Sequence, residues 1–154
     1  MAVQPDKIKR RMNRFLETCG RVGLRITPQR TEIFRKVAST AEHPDAETIH
    51  RGIRKRMPHV SLDTVYRTLH RLAEEGIILE LQLAGGPVRF DANMVPHGHF
   101  MCTACGLIRD FPSVDLADFK PPQKVRNWGE LRSSHLEIRG ICAECLARCG
   151  RQRN

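Results

Sequence analysis

Apolar and polar positions in the first 75 residues alternate with the period of amphipathic helices. One helical face of the first segment collects Ile8, Met12, Phe15, Leu16 and Cys19, before Gly20 and Gly23 end the pattern. A second helix is predicted to begin at Thr27-Pro28, where a capping residue precedes a proline suited to the first helical turn. Its apolar stripe comprises Ile33, Phe34, Val37 and Ala38.

Two further helices are predicted before residue 76. Asp45 can cap a third helix whose apolar stripe runs from Ala46 to Met57 and stops at Pro58. Ser61 can cap a fourth helix, which Gly76 closes. The inward positions of that fourth helix are Leu62, Val65, Leu69 and Leu72.

The pattern then changes to short strands. Alternation over residues 79–83 and 88–90, around a turn at Gly85-Gly86-Pro87, predicts one β-hairpin. Helices followed by a single hairpin indicate a winged helix-turn-helix domain. After Asp91 short strands are predicted at residues 100–102, 107–111 and 135–138. The fold class is therefore α+β, with a winged-helix domain over residues 1–88 and a small α/β domain over residues 89–154.

Composition restricts the class of protein. The chain has 154 residues, of which 40% are hydrophobic and 28% charged, and this balance excludes a wholly disordered chain. The sequence contains no run of 18 apolar residues and no apolar signal core. We therefore expect a soluble, cytoplasmic protein.

Positive charge is concentrated in the first part of the chain. The net charge is +9, and residues 1–90 contain 17 basic and 10 acidic side chains. This asymmetry favours a polyanionic partner for the N-terminal domain. The alternative is a basic surface that only maintains solubility.

Four of the six cysteines form two C-x-x-C pairs. Cys102 with Cys105, and Cys142 with Cys145, can each present two thiolates to one ion, and 36 residues separate the pairs. Four thiolates favour a structural zinc site; a redox pair and unrelated core cysteines are the alternatives. Cys19 is expected to be a buried small hydrophobe and Cys149 a spare thiol near the C-terminus.

Histidines and aspartates form a second candidate metal site. His97 and His99 lie two residues apart, so both imidazoles share one face of an extended strand, and Asp91 and Asp110 add carboxylates. Such a mixed nitrogen and oxygen set suits Fe(II), Mn(II) or Zn(II). The alternative is a pair of surface histidines.

The fourth helix is the candidate DNA-recognition element. As the second helix of a helix-turn-helix it is expected to enter the major groove, with Thr64, Tyr66 and Arg67 contacting DNA. Arg89 in the following hairpin is expected to contact the DNA backbone. The alternative is an ordinary solvated helix face.

Six ordered motifs resemble the ferric uptake regulator family over residues 7–146. They are Arg25-Ile-Thr-Pro-Gln-Arg30, Ser61-Leu-Asp-Thr-Val-Tyr-Arg67, Arg89-Phe-Asp91, His97-Gly-His99, Cys102-x-x-Cys105 and Cys142-x-x-Cys145. The resemblance implies a metal-dependent transcriptional repressor that binds operator DNA as a homodimer, with the C-terminal domain as the dimerisation domain. Arg25 is then a further candidate DNA contact.

The resemblance also implies a complete regulatory metal site. It adds a histidine from the turn before the third helix, so that Fe(II) or Mn(II) would join both domains through His43, Asp91, His97, His99 and Asp110. Aspartates rather than glutamates at Asp91 and Asp110 resemble the peroxide-sensing branch, in which Fe(II) reacts with hydrogen peroxide and His43 or His97 is oxidised. An iron-uptake or other metal-uptake repressor is the alternative.

Two other classes of function remain open. A metalloenzyme could use the histidines and aspartates to hold a catalytic ion, but no separate general base is evident and the winged helix would have no role. A zinc-stabilised protein-interaction module would not bind DNA at all. We predict no enzymatic activity.

Overall fold

The computed structural model describes residues 3–82, 86–112, 122–130 and 136–151. The chain divides into two compact units, Met1–Met94 and Val95–Asn154, which are called the first and second unit below. The division falls beyond the predicted boundary after residue 88, because Arg89–Asp91 pairs with Leu79–Leu81 and so belongs to the first unit.

In the part of the first unit that the structure describes, four helices are followed by two antiparallel strands, in the predicted order. They are α1 (Pro5–Arg21), α2 (Pro28–Ala38), α3 (Ala46–Ile53), α4 (Leu62–Glu74), β1 (Leu79–Leu81) and β2 (Arg89–Asp91). The predicted caps are present, because Thr27, Asp45 and Ser61 each accept a hydrogen bond from the backbone three residues later. No helix among the described residues is long and apolar enough to cross a membrane.

The core of the first unit is built from the apolar stripes of these helices. The rings of Phe15 and Phe34 stack with centroids 4.5 Å apart, and Phe90 of β2 is fully buried in the same cluster. Leu16, which the pattern placed on the same face as Phe15 and Cys19, is 43% exposed, so this part of the prediction is wrong. It lies one residue from Phe15, about 100° round the helix, and so leaves the face that Phe15 and Cys19 share.

Over its described residues the second unit shows a three-stranded sheet and two helices. Its elements are β3 (His97–Cys102), β4 (Ile108–Pro112), α5 (Gln123–Arg126), β5 (Leu136–Gly140) and α6 (Ala143–Arg151). The strand order is β4-β3-β5, with β3 antiparallel to β4 and parallel to β5. The pattern predicted all three strands but neither helix, and α3 ends at Ile53 rather than continuing to Met57.

Two neighbouring residues of α1 test this assignment of the core. Phe15→Ala should lower the free energy of unfolding by about 3–5 kcal/mol, because it leaves a cavity where the ring stacks on Phe34. Leu16→Ala should cost less than about 1 kcal/mol, because much of that side chain is in water. Urea unfolding followed by circular dichroism measures both; equal losses would contradict the assigned face.

Candidate metal centres

Four cysteine thiols gather at one end of the sheet in the second unit. Cys102 ends β3 and Cys105 lies in the turn that follows, whereas Cys142 directly precedes α6 and Cys145 lies in its first turn. Their sulfur atoms all lie within 4.8 Å of one another, and none is in a disulfide. The structure therefore brings together the four cysteines that the doubled spacing predicted.

Strand pairing explains why the two C-x-x-C pairs meet. The parallel pairing of β3 with β5 places Cys102 opposite Gly140, two residues before Cys142. The backbone N–H of Thr103 donates to the Gly140 carbonyl at 2.8 Å, which fixes this end of the sheet. Gly106, with φ of +72°, closes the turn by donating to the Cys102 carbonyl at 2.9 Å.

The electrostatics of the cluster favour a bound cation. The backbone N–H of Cys142 donates to Cys102 Sγ at 3.2 Å, and this hydrogen bond, together with those from the backbone of Cys105 and Ala104, lowers the pKa of Cys102 to about 6. For Cys105 the backbone N–H of Leu107 acts in the same direction, but the thiols of Cys102 and Cys145 together raise its pKa to about 12. Ionising one thiol thus opposes ionising the next, and a divalent ion removes that opposition. Four sulfur donors with no further ligand position fit structural Zn(II).

An arginine that the sequence patterns did not single out also contacts this cluster. Arg148 Nη2 donates to Cys145 Sγ at 3.1 Å, from one turn further along α6. The spacing of three residues would have revealed the contact had this segment been recognised as a helix. Cys149 lies exposed on α6 outside the cluster, and Cys19 is buried in the first unit, where burial raises its pKa.

Three candidate ligands of the regulatory metal converge in the second unit. His97 and His99 lie on the same face of β3, and their Nε2 atoms are 2.9 Å apart. Asp110 lies opposite His99 on β4, with Oδ1 at 3.8 Å from His97 Nε2 and 3.7 Å from His99 Nε2. Two imidazoles and one carboxylate form the donor set that non-haem Fe(II) uses with open coordination positions.

Contacts around β3 hold these imidazoles in place. His97 Nδ1 lies 2.7 Å from the Val95 carbonyl, so this nitrogen is the donor and Nε2 carries the lone pair. The aromatic ring of Phe111 covers Gly98, where a Cβ would lie 2.2 Å from the ring. A side chain at position 98 would therefore displace this ring, which lies on the face of the strand opposite to the two histidines.

The other two candidate ligands form a buried pair in the first unit. His43 Nε2 lies 3.7 Å from Asp91 Oδ2, and the two residues are only 2% and 5% exposed. Asp91 Oδ1 accepts the backbone N–H of Asn93 at 2.7 Å, which leaves Oδ2 directed towards His43. His43 itself has a left-handed backbone, with φ of +49°. The five predicted ligands are thus found as a pair in the first unit and a group of three in the second.

Three of the predicted DNA contacts lie on α4, and the fourth lies before α2. Tyr66 is 37% exposed, and Arg67 is exposed beside Asp63, with Nε and Oδ2 3.1 Å apart. Thr64 is half-buried in the first turn, and Arg25 is exposed in the segment before α2. Tyr66, Arg67 and Arg25 are therefore exposed in the first unit, whereas Thr64 is only partly so.

The chain is similar in sequence and in fold to known metal-responsive and peroxide-responsive regulators. Residues 21–139 match the Ferric uptake regulator family. The chain is 31% identical to the peroxide-responsive repressor PerR of Staphylococcus aureus over 94% of this chain and 98% of that protein. It resembles the structure of the Campylobacter jejuni peroxide stress regulator, with a TM-score of 0.67 and 26% identity over 84% of this chain and 98% of that one. A zinc-bound manganese uptake regulator gives a TM-score of 0.60 and 28% identity, over 83% and 98%.

Two cysteines of α6 provide a matched test of the zinc site. Cys145→Ser should lose most of the bound zinc, because a hydroxyl is a much poorer zinc ligand than a thiolate. Cys149→Ser should retain the zinc content of the unaltered protein, because Cys149 lies outside the cluster. Elemental analysis of the purified proteins measures both. Equal zinc loss in the two variants would exclude the assigned ligand set.

Proposed function

The chain belongs to the ferric uptake regulator family, and from this premise we propose that it is a metal-dependent repressor that senses peroxide. In the proposed cycle the metal-loaded homodimer binds operator DNA. Oxidation of a ligand histidine then weakens metal binding, and the operator is released. The single observation that carries the proposal is that the candidate regulatory ligands are divided between the two units.

We propose that one Fe(II) or Mn(II) ion binds all five of these residues. Neither group completes a coordination sphere by itself, since the first unit offers His43 and Asp91 and the second offers two imidazoles and one carboxylate. An ion bound by both units would bind more tightly to the arrangement in which all five donors meet than to any arrangement that separates them. Such differential affinity is what a metal-dependent conformational switch requires.

The two metal centres have different roles in this proposal. Zn(II) bound to the four cysteines keeps the second unit folded and offers no open position to a reactant. The histidine and aspartate set is the responsive centre, because its donors suit Fe(II) and Mn(II). A zinc-bound regulator is among the similar structures, which supports a place for zinc in this fold.

Peroxide sensing rests on the identity of the ligands and on the relatives. Asp91 and Asp110 supply the carboxylates, and two of the similar proteins described above are peroxide regulators. Fe(II), if bound by these histidines and aspartates, would supply the electron that begins the reduction of hydrogen peroxide. His43 and His97 are the proposed targets; in the net reaction an imidazole gains one oxygen atom and the other leaves as water. A metal-uptake repressor that lacks this oxidation is the alternative.

The first unit is the proposed DNA-binding domain. Its winged-helix order of elements places α4 before the hairpin, and the sequence up to Phe90 carries most of the positive charge. Thr64, Tyr66 and Arg67 of α4 are proposed to contact the major groove, with Arg25 as a further contact. Two copies of the chain in a homodimer would read two half-sites.

DNA binding should depend on the regulatory metal. With duplexes selected from a random pool in the presence of Mn(II), we expect the affinity to fall by at least about tenfold when the metal is chelated, a coupling of roughly 1.4 kcal/mol. His97→Ala should abolish this difference, because it removes one of the shared ligands. Fluorescence anisotropy measures both affinities.

Two variants separate metal sensing from DNA contact. His59→Ala should keep the metal dependence, because this exposed histidine belongs to neither ligand group. Arg67→Met should weaken DNA binding by roughly 1–3 kcal/mol while leaving Mn(II) affinity unchanged. If the metal-loaded and metal-free proteins bound DNA equally, the proposed switch would be refuted.

Peroxide should modify the ligand histidines selectively. After Fe(II) loading and equimolar hydrogen peroxide, we expect peptide mass spectrometry to find one added oxygen on His43 or His97. His50 and His59 serve as internal controls and should stay unmodified, as should the Mn(II)-loaded protein. Oxidation spread evenly over all of these histidines, or none at all, would support the metal-uptake alternative.

A further inference from the structure

The side chain of Arg89 contacts the turn that carries His43. Arg89 is half-buried at the start of β2, and its Nη1 donates to the His43 carbonyl oxygen at 3.2 Å. The sequence pattern had suggested a contact with the DNA backbone for this residue. The structure instead directs the guanidinium inwards, to a residue 46 positions earlier in the chain.

The backbone conformation of the turn at His43 depends on contacts from residues outside the turn. Among the described residues His43 is the one non-glycine residue with a positive φ, a backbone region that side chains other than glycine adopt infrequently. Such a conformation persists only where neighbouring contacts determine it. Two contacts are present, since the Phe90 backbone N–H also donates to the Pro44 carbonyl at 3.0 Å. Consecutive residues of β2 therefore hold consecutive carbonyls of the turn.

We propose that Arg89 is a positioning residue for the regulatory metal, acting through His43. By holding the His43 carbonyl it keeps the backbone left-handed and the imidazole directed to Asp91. The inference rests on the proposed function, because it takes His43 and Asp91 as ligands of the regulatory ion. Asp91 has its own support from the Asn93 backbone, so the loss of Arg89 should affect the imidazole and spare the carboxylate.

Removing the guanidinium lowers the fraction of molecules in which His43 is ready to bind. The apparent dissociation constant of the metal rises in proportion as that fraction falls. The ligand set itself is unchanged, so metal at saturating concentration should still restore the bound state. An Arg89 variant should therefore weaken metal binding without removing a donor.

The test compares Mn(II) affinities of the full chain with its zinc site intact, measured by electron paramagnetic resonance of free Mn(II). Arg89→Met should raise the dissociation constant by about tenfold or more, because it removes the donor and keeps the aliphatic stem. Arg89→Lys should restore part of the affinity, because its ammonium group can still donate. Arg56→Met is the matched control, since this exposed arginine of the first unit pairs with Glu32 and should leave the affinity unchanged.

A double-mutant cycle distinguishes positioning from a general loss of stability. If Arg89 acts through His43, Arg89→Met should weaken Mn(II) binding no further in a protein that already carries His43→Ala. A loss of stability alone would weaken binding in both backgrounds. Zinc content and urea unfolding, measured on every variant, confirm that the proteins compared are folded; if Arg89→Met does not fold, Arg89→Lys and its His43→Ala combination form the cycle.

Each result has a distinct meaning. An Arg89→Met affinity within about twofold of the unaltered protein, or an equal loss in the His43→Ala background, overturns the positioning role while leaving the regulatory site standing. Normal Mn(II) affinity in His43→Ala alone overturns the proposed regulatory site and the role of Arg89 with it.

Discussion

The pairing of β3 on both of its edges is the constraint on which the second unit depends. This strand carries candidate ligands of both centres, with His97 and His99 near its start and Cys102 at its end. Antiparallel pairing with β4 places Asp110 opposite His99, and parallel pairing with β5 leads the chain back to Cys142. A slip of one residue in β3 would turn both imidazoles to the opposite face of the sheet. One register therefore sets both centres.

The zinc site has a further consequence for this register. Three of the four cysteines in the cluster are buried at the end of the sheet, where Cys102, Cys142 and Cys145 pack against Phe100 and Leu107. A small unit of this kind gains much of its folding free energy from metal binding rather than from apolar burial. Zinc bound by β3 and by the start of α6 would fix the end of the strand whose beginning presents the histidines. The two ions are then coupled through a single strand, although their chemistry differs.

The parts of this structure that could be predicted from sequence depend on local signals. Caps at Thr27 and Asp45 and the apolar stripes located the helices, and the doubled C-x-x-C spacing located the thiol cluster. The neighbours of His43 in the chain contain no such signal, so its place in a ligand set came only from family resemblance. The contact from Arg89 spans 46 positions and follows no periodicity. Helix α6 could not be predicted in this way, because the C-x-x-C spacing at its start indicates a metal site and not a helix.

Dividing the ligands between two units is what could make metal binding a switch. An ion whose ligands all lay in one unit would bind equally well whatever the other unit did, and so could shift no equilibrium. In the proposed site the first unit holds its pair ready through hydrogen bonds within that unit, from Arg89 to His43 and from Asn93 to Asp91. Because this pair is already ordered, little of the free energy of metal binding is needed to order it. A larger part of that free energy can then favour one arrangement of the units. The same reasoning explains why a single oxidised histidine would suffice: losing a donor on either side would weaken the energetic link between the units, even where the remaining ligands still hold the ion.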